Sequence, residues 1–213
     1  MKPDDGGASR EAIPVELRAR LDAYAALLLR WNARINLIGP STIASIWQRH
    51  IDDSLQLAPL CPAGAGGAAD LGSGAGFPGL VLALATGRSF TLVEADRRKA
   101  AFLAEAVRVT GAPARVACAR IADLAPLGAT LITARALAPL PDLLALAVPH
   151  LAAGGVLLLP KGAQASAELT NARRGWHMRV DAFPSRTARE ATILRLSELR
   201  RVEPSTPERH ATS

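Results

Sequence analysis

A chain of 213 residues suits one α/β domain with an appendage rather than two full domains, and with 49% hydrophobic but only 4% aromatic residues its core has to come mainly from Ala, Leu, Val and Ile. The formal net charge of +6 is carried mostly by arginine, which pairs bidentately with phosphate, yet a surplus of this size fits simple solubility as well as an anionic partner. The two cysteines, Cys61 and Cys118, form no CxxC pair and sit in no His cluster, which excludes a disulfide framework or a zinc site and leaves no metal expected.

Residues 1–12 hold Asp4, Asp5 and glycines instead of a basic start and an apolar stretch, so they read as a disordered N-terminus without a signal peptide, on a cytoplasmic protein. Residues 13–66 read as an N-terminal helical extension. Leu17, Leu21, Tyr24, Leu28 and Trp31 recur at steps of four and three, the stripe of an amphipathic helix that Pro14 opens, and a second helix is expected over Ser41–Ala58. The loop Cys61–Gly67 then marks the change to a main domain over 67–202.

From Ala68 the pattern alternates short apolar strands with helices, the rhythm of parallel βαβ units. Strands are expected at Ala68–Leu71, Phe90–Glu94, Arg115–Cys118, Leu131–Thr133 and Val156–Leu159, with helices at Gly79–Ala85, Arg97–Thr110 and Leu140–His150. The apolar stretch Ala136–Pro160 is long enough to span a bilayer, but Pro139, Pro141, Asp142, Pro149 and His150 interrupt it, so it reads as helix, turn and strand, and no membrane association is expected. His177–Ala182 and Ala191–Leu196 read as an antiparallel edge hairpin, and 203–213 as a disordered tail. The fold class expected is therefore a Rossmann-like, mostly parallel sheet with an antiparallel C-terminal edge hairpin and helices on both faces.

The segment Asp70-Leu71-Gly72-Ser73-Gly74-Ala75-Gly76-Phe77-Pro78-Gly79 follows a strand and leads into a helix, where a doubly wound sheet binds its ligand. Glycines let the backbone approach that ligand closely. Gly74, Gly76 and Gly79 also satisfy the dinucleotide pattern G-x-G-x-x-G, so a nicotinamide-dependent oxidoreductase is a rival reading. Glu94, ending the next strand, could hold ribose hydroxyls in either class. Asp70, two residues before the first glycine, resembles the D-x-G-x-G-x-G loop of class I methyltransferases, and a carboxylate suits a ligand bearing an ammonium and a sulfonium better than a pyrophosphate.

Arg97, Arg98 and Lys99 fall in a first helical turn, where the dipole disfavours cations; they are either solvated and paired with the adjacent acids or in contact with RNA. Arg135 follows the fourth strand and should emerge in the crevice, with a structural partner such as Asp70, or with a cofactor carboxylate or RNA phosphate; the functional contact is preferred. Lys161 ends the fifth strand in similar geometry. His50 shares a helix face with Asp53 and Ser54, the arrangement of a packed polar cluster more often than of a catalytic dyad, and Arg49 beside it is a further candidate for RNA.

With these residues in view the chain resembles the ribosomal RNA small subunit methyltransferase G family, also called glucose-inhibited division protein B. The motifs that carry the resemblance are Trp31-Asn32 with Asn36-Leu37, Arg49-His50 with Asp53-Ser54-Leu55, the loop Asp70 to Gly79 with Phe77-Pro78-Gly79, and Ala134-Arg135-Ala136, over roughly Leu27 to Gly162. The resemblance implies methyl transfer from S-adenosylmethionine to N7 of a guanine in a decoding-region loop of 16S ribosomal RNA, on the RNA or the small ribosomal subunit. It implies that Gly72 and Phe77 touch the cofactor, that Ile121 and Ala122 flank its adenine, and that Arg135 lies where cofactor and RNA meet. Where Ala122 stands the family often has an acid, so a backbone group or Asp123 would have to serve. Phe77 is the aromatic expected to stack on the splayed base, and Arg135 is expected to position rather than move a proton. A non-enzymatic RNA-binding module with a vestigial pocket is the remaining alternative, separable by whether RNA affinity responds to S-adenosylmethionine.

Overall fold

The computed structural model describes residues 13–64 and 66–202, so the expectations for 1–12 and 203–213 fall outside the described residues. Seven strands form one sheet in the order β3-β2-β1-β4-β5-β7-β6. They are β1 (Ala68–Leu71), β2 (Phe90–Glu94), β3 (Ala114–Cys118), β4 (Ala129–Thr133), β5 (Leu151–Lys161), β6 (Trp176–Pro184) and β7 (Thr192–Arg201). Strands β1 to β5 run parallel, while β7 pairs antiparallel with both β5 and β6, giving the expected edge hairpin. The order reverses between β1 and β4, and the crevice beyond their carboxyl ends is where such sheets bind ligands.

Helix α1 (Val15–Asn32) buries the predicted stripe: Leu21, Tyr24 and Leu28 are inaccessible, with Leu17 and Trp31 at its margins. Its partners are the helices on one face of the sheet, α3 (Gly79–Thr86) and α4 (Arg97–Thr110), in a cluster that also holds Phe102, Leu103, Leu158 and Ile193. The N-terminal segment thus shares one core with the sheet. On the other face α5 (Leu140–Ala147) and α6 (Ala165–Ala172) pack Leu140, Leu143 and Leu144 against Leu157, Leu159 and Leu194.

Three departures from expectation have physical causes. Ser41–Ala58 is not one helix but a 3-10 turn (Pro40–Ser45), a π-helical turn (Trp47–Ile51), the short α2 (Asp52–Leu55) and a second 3-10 turn (Ala58–Leu60). Pro40 and Pro59 punctuate it, and the π turn carries Arg49 and His50, a placement such turns often have at functional sites. Helix α6 carries no apolar stripe to announce it, since only Ala165 and Ala172 are buried. Strand β5 begins five residues earlier than expected because Ala152, Ala153, Gly154 and Gly155 continue its backbone without a bulky apolar side chain.

Candidate active site

The glycine loop joins β1 to α3 at the switch point. Asp70 and Gly79 set its base: Asp70 is fully buried, and a Cβ on Gly79 would collide with its side chain, so the glycine lets α3 start against the strand. Asp70 Oδ1 accepts the Thr133 hydroxyl at 2.6 Å while Oδ2 has no hydrogen-bond partner among the described residues, and burial pushes the carboxyl up to about 6. This corrects the assignment of Asp70 to the cofactor surface, because the carboxylate lies under the loop. Gly76 is likewise turned away from the ligand side. Its φ of +93° suits glycine, and a Cβ there would press on Tyr24 Oη and Leu80, where the Tyr24 hydroxyl donates to the Ala75 carbonyl.

Gly74 has the opposite environment. Its φ is +54°, and the space a Cβ would enter is open save for the Gly72 carbonyl at 3.8 Å. Its N–H donates to Glu94 Oε2 at 2.8 Å, while Glu94 Oε1 accepts the Asp96 N–H at 2.8 Å, so one carboxylate braces the loop against the end of β2. Over this floor opens a cavity of about 690 Å3 that Gly72, Gly74, Phe77, Glu94 and Arg135 all line. Ile121 and Ala122 close its far side from a 3-10 turn, and the buried His150 holds that turn by donating from Nε2 to the Ile121 carbonyl at 3.1 Å. Asp123 does not line the cavity, which leaves backbone groups at that corner.

Arg135 separates this cavity from a second one, of about 610 Å3, that reaches from Arg49 and His50 to Ile193. Its partner is Asp53, at 3.3 Å, and not Asp70. A second guanidinium nitrogen donates to His50 Nδ1 at 3.1 Å, and the guanidinium carbon lies 5.0 Å from the Phe77 ring centre. His50 bonds Thr42 Oγ1 through Nε2 at 2.9 Å and stacks on Phe77 at 5.0 Å, and burial, helped by Arg135, lowers its pKa to about 4. Nδ1 therefore accepts, and the imidazole is neutral at physiological pH. The hydroxyl of Ser54 reaches only the His50 carbonyl, at 2.6 Å, so no side-chain dyad forms.

Phe77 is 3% exposed and its ring is covered by His50, Arg135 and Tyr24. That corrects its nomination as a stacking platform for a base: it supports Arg135 from beneath. The residue after Arg135, Ala136, takes φ +52°, a strained conformation for a residue with a Cβ, and lines both cavities. Asp53 also accepts from Gln56 at 2.9 Å and from Thr187 at 2.5 Å, pinning the turn between β6 and β7 to α2.

The candidate cations divide. Lys99 lines the first cavity and the exposed Arg49 the rim of the second. Arg98 lies 3.7 Å from Asp96, the residue that caps α4 by accepting the N–H groups of Arg98 and Lys99 at 2.8 and 3.2 Å, which offsets the unfavourable dipole. Arg97 lines neither cavity. Lys161 lines the second cavity, with its ammonium held by Glu168 at 2.8 Å and the Ala138 carbonyl at 3.3 Å. The residues missed in the sequence are Thr42, Gln56, His150, Glu168 and Thr187, lone polar residues that take on meaning only through partners distant in the chain. Among the described residues no group of three His, Cys, Asp or Glu side chains could hold a metal ion, and no helix is long and apolar enough to cross a membrane.

A sheet of this order, with its ligand cavity over a glycine loop at the switch point, defines a class I methyltransferase fold. Solved structures of that class overlay on it: a TehB-like SAM-dependent methyltransferase from Corynebacterium glutamicum has a TM-score of 0.56 at 18% identity, covering 83% of this chain and 98% of that one. TYW2 of M. jannaschii in complex with AdoMet gives 0.57 at 12% identity, over 80% of each chain. The model of the rRNA small subunit methyltransferase G family matches residues 17–192, wider than the span that carries the motifs, and the chain belongs to that family. Among its curated relatives, the ribosomal RNA small subunit methyltransferase G of Acidiphilium cryptum is 56% identical over 92% of this chain and 97% of its own, and that of Paramagnetospirillum magneticum 50% identical over 92% and 93%.

Proposed function

We propose that the chain is a cytoplasmic enzyme that methylates N7 of a guanine in the 16S RNA of the small ribosomal subunit, with S-adenosylmethionine as donor. The observation that carries this is the 690 Å3 cavity at the switch point in a chain of this family. The lining suits the donor: Gly74 offers an open cradle, Glu94 a carboxylate that could accept from ribose hydroxyls, and Ile121 and Ala122 apolar side chains that could flank adenine.

When bound, S-adenosylmethionine supplies an electrophilic methyl group on a sulfonium. Guanine N7 has an in-plane lone pair and no proton to lose at neutral pH, so no general base is required of the protein. The task of the chain is alignment, an effect that can remove about 7–11 kcal/mol from a barrier. Arg135 is suited to it, because Asp53, His50 and Phe77 fix its guanidinium where the two cavities meet. His50 serves as an acceptor for that arginine and carries no proton to the substrate. RNA's major groove, where N7 lies, is deep and narrow, so the guanine has to be unpaired or splayed out. With Phe77 covered, the base would enter through the second cavity, past Leu137, Pro139 and Pro160.

Mass spectrometry of 16S RNA from cells with and without the gene tests the proposal. The expected result is a 7-methylguanosine that disappears with the gene, returns with the wild-type gene and fails to return with Arg135→Ala. An unchanged 7-methylguanosine content in the deletion strain would refute it.

A further inference from the structure

A recess of about 320 Å3, outside both cavities, lies between the turn that follows α1 and the first turn of α4. Its walls are Arg34, Ile35 and Asn36 on one side and Asp96, Arg98 and Lys99 on the other. Three cations thus face one carboxylate, and that carboxylate is already engaged by the Arg98 and Lys99 N–H groups and the Arg98 guanidinium. Among the described residues no acid lies within ion-pair distance of Arg34 or Lys99. Cations in a first helical turn, each opposed by about 0.3–1 kcal/mol, break a local rule, and the Asp96 cap sets one negative charge against the three positive ones of the recess.

The recess is also built to hold its shape. Asn32 Oδ1 accepts the N–H groups of Leu37 and Ile38, each at 2.9 Å, and Trp31 Nε1 donates to Glu105 at 2.9 Å, so the turn bearing Arg34 and Asn36 is fixed on α4. These contacts give the Trp31-Asn32 and Asn36-Leu37 motifs a physical task. Lys99 lines the cofactor cavity as well, and so does Leu37, the residue after Asn36, which makes the recess its direct neighbour.

We propose that this recess binds a phosphodiester of the RNA backbone next to the target nucleotide, with Arg34 and Arg98 as its principal ligands, Asn36 as a neutral donor and Lys99 bridging to the cofactor cavity. Guanidinium and amide groups donate where a phosphate only accepts, and two arginines from separate elements match its spread of oxygens. Such a contact sets register without reading sequence, which is what alignment of one guanine with a methyl donor demands. The inference rests on the reading of the chain as an RNA methyltransferase.

The test compares wild type with Arg34→Gln/Arg98→Gln in binding 16S RNA across a salt series. Expected are RNA binding weakened at least tenfold and a slope of log affinity against log salt that is shallower by about 0.7–0.9 for one lost phosphate contact. The affinity for S-adenosylhomocysteine and the melting temperature stay unchanged, and Arg34→Lys/Arg98→Lys recovers most of the RNA affinity. Unchanged RNA affinity and slope in the Gln variant overturn the proposal, as does an equal loss of cofactor affinity, which would make the arginines structural. Because the readout is binding, a wild type that binds RNA with this salt dependence but transfers no methyl group sinks the enzymatic reading and leaves the phosphate site standing.

Discussion

Glu94 shows how one residue serves both frame and ligand. Its carboxylate already accepts two backbone N–H groups, from Gly74 and Asp96, and still borders the cavity. Each charge-assisted bond to a ribose hydroxyl would be worth about 1.5–3 kcal/mol, so Glu94→Ala is expected to weaken the cofactor at least tenfold by calorimetry. Glu94→Gln, which keeps one acceptor oxygen, should lose less; equal affinity in all three proteins would move the ribose elsewhere. His50 and Asp70 titrate in opposite senses. The folded pKa of His50, about 4, lies below the ordinary 6.5, so the stability it contributes is present above pH 6.5 and lost as pH falls through 4. Asp70, raised to about 6, contributes stability that is full at low pH and lost as pH rises through 6. His50→Gln is therefore expected to lose less melting temperature between pH 6.5 and 4 than wild type. Single-turnover methyl transfer by wild type should be nearly flat from about pH 6.5 to 8.5, where His50 stays neutral. A rate rising tenfold per pH unit there, abolished by His50→Gln, would make the histidine a base.

At the scale of elements, what could be read from the sequence is what periodicity and capping encode. The bounds of β1, β2 and α4 match expectation because each is a short apolar run or a capped helix closed by a turn. The π turn at Trp47–Ile51 was not legible: its register follows from docking His50 on Phe77, a tertiary contact with no local signal. The same holds for the site. Gly74, Glu94 and Arg135 announced themselves by their place at strand ends, whereas Asp70 and Gly76 carried the same motif signature and face away from the cavity, and Phe77 borders the cavity while backing Arg135. Helix α1 is the element that supports the loop most directly. Tyr24→Phe removes the hydroxyl from the Ala75 carbonyl, and leaving that buried acceptor unpaired should cost about 1–3 kcal/mol in denaturation. It should also loosen cofactor binding, since Ala75 lines the cavity; an unperturbed cofactor affinity would show that the loop keeps its shape without α1.

For the whole molecule, a ligand bound by the native state alone stabilises it by RT ln(1 + [L]/Kd), about 2.7 kcal/mol at a hundredfold excess over Kd. In a chain of this size S-adenosylmethionine should then raise the melting temperature by roughly 5–10 °C. Gly74→Val should abolish the rise, because it adds a branched side chain where φ is positive and the cradle is open. A full shift in the variant would place the ligand elsewhere.

The bond between Asp53 and Thr187 spans 134 residues, and the cavity beside Arg135 is finished only when β7 lies against β5. The glycine loop, Glu94 and the Ile121 turn are all made of earlier chain. At about 5–20 residues per second, a nascent protein has the parts of its first cavity seconds before the last strand leaves the ribosome. The segments that line the first cavity are thus synthesised before those that complete the second, and a product cut short before β7 would lack Ile193, Leu194 and Leu196 from the two cores as well as a wall of the second cavity.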